Sequence, residues 1–308
     1  GNLKLKKQFN GTINSGDIFK QFLDRKGEGT LLRGISVIKT FSTEGSTRIE
    51  SAGTGIGFDR KTPQGKGFIE FKKGSKTFVK AGFAGVFARY NSVTFEGGSD
   101  TTLIGGAYGI MANKGTIKKG AKVTLMGNYG TGKFEVKEHD FLKFESGSEL
   151  NILANDSALY GIRLKGKTKL IAKGYNVLRQ IDTYADGEHS LDTVTFERGS
   201  ILDGNIDRSW NSQILLEEGT KLFVPNKIQA NLEIKGDLYV GPRSAYEGKQ
   251  LTYKEAVEDA DTVAGATAIF MGKQAQKARK GEFSYRGLYN EFSPDEYYTL
   301  EYNRDNHY

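Results

Sequence analysis

The residues best equipped for chemistry in this 308-residue chain are cations and aromatic rings, and they are unevenly placed. Residues 101–180 hold 13 Lys or Arg against 6 Asp or Glu, a net of +7, which equals the charge of the whole chain. The densest stretch is GIRLKGKTKLIAKGYNVLRQ, Gly161 to Gln180. Scattered lysines have an ordinary use on strand edges, where they block sheet-to-sheet pairing. That use does not explain why about a quarter of the chain carries the entire imbalance. A concentrated positive stripe is the footprint expected for an extended polyanion. Arg163 and Arg179 lead the candidates, with Lys165 and Arg208 behind them. Around them stand Tyr108, Tyr160, Tyr175, the single tryptophan Trp210, and Arg89 in AGVFARY. Rings beside guanidinium and ammonium groups suit sugars that bear carboxylates, because a pyranose stacks on a ring and a guanidinium grips a carboxylate in two places. For each tyrosine taken singly, packing into a corner of the fold is the stronger reading.

Other chemistries have little material. There is no cysteine, and the histidines are His139, His189 and His307, too few for a Ser–His or metal–His centre. A phosphate-cradling Gly-x-x-x-x-Gly-Lys-Ser/Thr loop is not matched. The best carboxylate group is LDGNIDR, with Asp203, Asp207 and Arg208, which offers two acids where a calcium-assisted site needs several. The sequence therefore reads against an enzyme and calls for no cofactor. No segment approaches 18 apolar residues, so none is expected to span a bilayer. The start at Gly-Asn-Leu reads as that of an excised piece, from which an export signal would be missing.

What must hold the candidate residues is a repeat. FEGGSDTTLIGG starts at Phe95, FESGSELNILA at Phe144 and FERGSILDGN at Phe196; further copies start at Phe71, Ile117 and Leu216, and a looser one at Ser42. The corner glycines are Gly45, Gly74, Gly98, Gly120, Gly147, Gly166, Gly199 and Gly219, separated by 19 to 33 residues. Such self-similarity marks units that cannot bury their own apolar face and must stack. Short β-branched or aromatic strands precede and follow each corner, and a third strand follows most copies. Forty glycines and four prolines suit tight corners between unbroken ladders. The pattern predicts an all-β chain in which about nine coils form one parallel β-helix over residues 31–244. At roughly 4.8 Å per coil the rod would be on the order of 40 Å long. A multi-domain β-sandwich is the competing architecture.

Aligning AGVFARY, YGIMANK and YGIRLKG on Gly85, Gly109 and Gly161 puts Val86, Ile110 and Ile162 inward. It puts Phe87, Met111 and Arg163 outward on one face, which Arg179 extends. The ends read as caps. SGDIFKQFLDRKG, Ser15 to Gly27, has helical spacing with Ser15 or Asp17 at its start, within a cap over residues 1–30. Residues 245–308 supply a short helix and an aromatic segment that fold back over the last coils.

The coil pattern and the helical N-terminal cap resemble the pectate-lyase-like right-handed parallel β-helix superfamily. The basic, cysteine-free, lysine-rich composition resembles, within it, the binding regions of serine-rich repeat adhesins of gut lactobacilli. That resemblance implies a secreted β-solenoid held on the bacterial cell wall through regions outside this chain. It implies binding of acidic polysaccharide such as pectin, or of host mucin or epithelial glycan. The module would be monomeric, would insert in no membrane, and would meet nucleic acid only as a non-specific polyanion. The Trp-Ile-Asp-His signature of the calcium-dependent lyases is absent, as are the Asn-Thr-Asp and Gly-His-Gly tracts of polygalacturonases. Two other classes stay open: a lyase or hydrolase of uronate polymers, and a structural spacer or autotransporter passenger.

Overall fold

The computed structural model describes residues 2–7, 9–15, 33–59, 62–88, 90–132, 141–183, 191–225, 227–240 and 243. Within them the chain is almost all β, with 69% of residues in strands, and no helix is present among the described residues. Every pairing between strands is parallel. An antiparallel sandwich is thereby excluded for this region, and the arrangement is that of stacked coils with three faces.

The first face stacks Asn2–Leu5, Thr40–Thr43, Phe68–Phe71, Ser92–Phe95, Lys114–Ile117, Phe141–Phe144 and the start of Arg163–Arg179. The second runs in register from Asn10–Ser15 through Ser46–Ser51, Lys76–Ala81 and Asp100–Gly105 to the final strand, Asp237–Val240. The third begins at Arg33–Val37 and passes through Thr54–Phe58, Ala84–Phe87 and Tyr108–Met111. From Lys122–Thr131 onward one long strand serves both the second and third faces. The stack begins earlier than the sequence suggests: Asn2–Leu5 and Asn10–Ser15 are already ladder strands. The expected helix after Ser15, and the expected C-terminal helix and aromatic segment, lie outside the described residues.

The repeated motif has a physical explanation at each position. Its Phe points inward: the Phe71 and Phe95 rings stack in successive coils 5.1 Å apart, and Phe41, one coil earlier and in register with Ile69, meets Phe71 edge-on at 6.5 Å. Seven of the eight corner glycines have φ between 79° and 92°, a left-handed backbone that costs a glycine little. The exception is Gly45, where a Cβ would fall 2.2 Å from the Phe9 carbonyl oxygen. The corners also bond to one another: the Gly74 N–H donates to Gly98, Gly98 to Gly120, and Gly120 to Gly147. The hydroxyl after the glycine closes the turn, as Ser200 and Thr220 donate to the carbonyls of Glu197 and Glu217 at 2.6 and 2.8 Å. The motif thus encodes a core ring, a bend and a latch.

On the second face the outermost residues alternate in sign. Lys76, Asp100, Lys122, Glu149 and Lys169 are consecutive register partners. Lys169 Nζ lies 3.1 Å from the Glu149 carboxylate. Opposite charges across neighbouring strands are mildly favourable, so the lysines of this face serve the ladder.

Candidate ligand face

The alternation that buries Leu142 and Phe144 turns Lys143 outward, and the burial of Leu164 turns Arg163 and Lys165 outward. Lys143 and Lys165 are direct register partners in adjacent coils. Like charges directly opposite each other destabilise a sheet, and the second face avoids such pairs along five coils. Arg163 stands in the same column as Lys114, with Phe141 at the register position between them. Its next partner is Asp182, whose carboxylate lies 4.0 Å from the Arg163 guanidinium. The Thr183 N–H donates to the Asn211 carbonyl, which brings the Trp210–Asn211 segment beside Asp182. Trp210 is 64% exposed there. The first face of these coils therefore carries four cations from three consecutive strands, and a bare indole follows them.

Arg179 is elsewhere. The glycine alignment slips by three residues, because Gly161 is not a member of the Gly85–Gly109 column. That column continues to Gly130 and then Ala158, each packed so tightly inward that a Cβ on Gly130 would lie 2.3 Å from the Ala158 carbonyl oxygen. Gly161 instead bends the chain out of the third face with φ 65°, and Gln180 and Arg208 repeat that bend at φ 51° and 47°. The outward partner of Arg179 is accordingly Tyr160, not Arg163. Val86, Ile110 and Ile162 are buried as the sequence indicates, but Met111 is buried too, at 1% exposure.

Arg179 sits at the end of an aromatic stack. Tyr108, Tyr129 and Tyr160 lie face to face at 5.4 and 5.2 Å, and the guanidinium covers the Tyr160 ring at 4.8 Å. Arg179 Nη1 is 3.4 Å from Asp156 and its Nε 3.7 Å from Asp207. Asp207 also receives Arg208 at 3.0 Å and Lys227 at 3.1 Å. Asp156 has no exposure at all, and burial pushes its carboxyl up to about 7 although Arg179, Ser157 and Tyr129 each pull it down. Burial acts the same way on Asp207, but the hydrogen bonds from Lys227 and Arg208 outweigh it and leave that carboxyl below its ordinary value. A guanidinium held by two acids and a ring is a structural tie, which corrects its placement on an open binding face.

Of the remaining sequence candidates, Tyr108 is 1% exposed and closed to any ligand, and Tyr160 is half-buried under Arg179. Tyr175 is exposed in the turn between the second and third faces, away from Arg163. Arg208 is exposed at the bend that leads to Trp210. Arg89 lies outside the described residues. Asp203 and Asp207 do not converge: Asp203 is in register with Lys173 and Phe223, Asp207 with Arg179. No group of three or more metal-ligating side chains occurs among the described residues. Sequence reasoning missed Lys114 and Lys143, although the inward Phe of each corner motif fixes the parity of the residues before it. Comparison with family models, with curated proteins and with solved structures finds no match to this chain.

Proposed function

We propose that the chain is a non-catalytic carbohydrate-binding module of a bacterial surface adhesin. It holds an acidic polysaccharide of the polygalacturonate kind along the first face of a right-handed, pectate-lyase-like β-solenoid. The observation that carries this reading is the Lys143–Lys165 pair, set beside Lys114 and Arg163. Together these four side chains gather positive charge on one face, which an anionic chain lying along it would meet. Trp210, next along the face, offers a ring for a sugar to stack on. Arg163 and Lys165 remain the principal contacts of this reading, and Trp210 and Arg208 flank them.

The test is a titration of polygalacturonate into wild type and into an Arg163→Ala, Lys165→Ala double variant, followed by Trp210 emission, at two salt concentrations. Loss of charge-assisted pairs worth about 1.5–3 kcal/mol each should weaken binding by well over tenfold. Equal affinity in both proteins would refute the reading. New ultraviolet absorbance during incubation, from unsaturated product, would reassign the module to the lyases.

A further inference from the structure

At the other end of the first face the surface changes character. Phe68 is 52% exposed, and its ring stands over a shallow recess between the first coils. Its two register partners are Thr40 and Ser92. Two residues on, Glu70 is flanked in the same way by Ser42 and Thr94. An aromatic ring and a carboxylate thus lie side by side, each with a hydroxyl before and after it. All these positions point away from the core, because Ile69 and Phe71 between and after them are buried.

The local charge is balanced. Lys72 lies 3.3 Å from Glu70, and Lys4 lies 3.6 Å from Glu44. Two cations meet two anions here, whereas the far end gathers Lys114, Lys143, Arg163 and Lys165 on adjacent strands. An acidic sugar would gain nothing at the Phe68 end and would be repelled by Glu70. A neutral pyranose fits: its C–H face covers an aromatic ring, and its hydroxyls donate to a carboxylate and accept from hydroxyl and ammonium groups.

We propose that this recess is a second subsite, which takes a neutral pyranose. Phe68 is its platform, and Glu70 orients the sugar hydroxyls. The inference rests on reading the first face as a glycan surface, and it narrows the ligand class. Phe68 and Arg163 are four coils apart, about 19 Å, so one chain could reach both. The polysaccharide that fits the whole face carries neutral and acidic sugars in separate blocks.

Three neutral tetrasaccharides, 1→4-linked galactose, glucose and xylose, serve as probes in saturation-transfer NMR with wild type, Phe68→Ala and Glu70→Gln. Polygalacturonate is titrated into the same proteins through Trp210 emission. At least one tetrasaccharide should bind wild type and lose about tenfold or more in Phe68→Ala. Polygalacturonate affinity should stay within twofold in both variants. The proposal is overturned if none of the three binds, or if binding survives both substitutions. It is also overturned if Phe68→Ala loses polygalacturonate equally, which would make Phe68 part of the acidic site. A variant-dependent change of mass in light scattering would overturn it as well, by giving the ring to a second copy of the chain. Polygalacturonate that fails everywhere while a tetrasaccharide binds would remove the acidic reading and leave this subsite standing.

Discussion

Replacing Asp156 by Asn should change how stability depends on pH. The carboxyl has no exposure and a pKa raised from 3.8 to about 7 by burial, only partly countered by Arg179, Ser157 and Tyr129. An acid raised in this way binds its proton in the fold and loses it in the unfolded chain. Between about pH 4 and pH 7 the folded state therefore holds more protons, and stability falls as pH rises through that window. One pKa unit corresponds to about 1.4 kcal/mol, so the three-unit interval allows up to about 4 kcal/mol. Asn carries no charge and has no such slope. Arg179 keeps Asp207 and the Tyr160 ring in the variant, so the tie is weakened and not abolished. Asp207, shifted downward, contributes stability that is lost as pH falls, but it is present in both proteins and largely cancels in the difference. Urea unfolding at pH 4, 5, 6 and 7 should show Asp156→Asn gaining on wild type as pH rises, by about 1–4 kcal/mol over the range. A difference that stays constant from pH 4 to 7 would refute the argument. It would mean that Asp156 is ionised throughout and that its ion pair outweighs its burial.

Gln180 holds a left-handed backbone at φ 51°, so Gln180→Gly should raise stability by up to about 1 kcal/mol in thermal or chemical unfolding. Arg179→Ala should destabilise by about 3 kcal/mol above pH 7, where buried Asp156 is ionised and loses its cation, and by less at pH 5, where Asp156 is protonated, whereas Arg163→Ala should leave the melting temperature within a few degrees. Polygalacturonate affinity should rise from pH 7 toward pH 4, as protein carboxylates with values near 4 lose charge while Lys and Arg keep theirs, and then fade when the ligand itself protonates. It should also weaken in 0.5 M salt, since exposed charges are screened within about 10 Å even at 0.1 M.

The architecture was legible because each copy of the corner motif states three things locally: a ring for the core, a glycine for the bend and a hydroxyl to close it. These choices agree from coil to coil, so Phe71, Phe95 and Phe144 could be placed inward from the sequence alone. Faces were harder. Glycine serves two ends in this chain, a left-handed bend at Gly161 and close packing at Gly109 and Gly130, and a one-letter code does not distinguish them. Aligning on the wrong kind moved Arg163 to the third face and Arg179 into the open. The burial of Arg179 was not readable either, since it depends on Tyr160, Asp156 and Asp207 arriving from other coils. Lys143 was readable, by counting one residue back from the inward Phe144.

The sign alternation from Lys76 to Lys169 has a consequence for how such a chain can grow or shrink. A coil is a natural unit of duplication, and the corner motif would tolerate its gain or loss anywhere. The charge column would not. Excising the coil that carries Asp100 would set Lys76 against Lys122, and excising the one that carries Lys122 would set Asp100 against Glu149. Only an even number of coils can be removed or inserted there with every neighbour still opposite in sign. The backbone repeat has a period of one coil and the electrostatic repeat a period of two, so lineages that lengthen this stretch should do so by twos or should carry a compensating charge reversal at the seam.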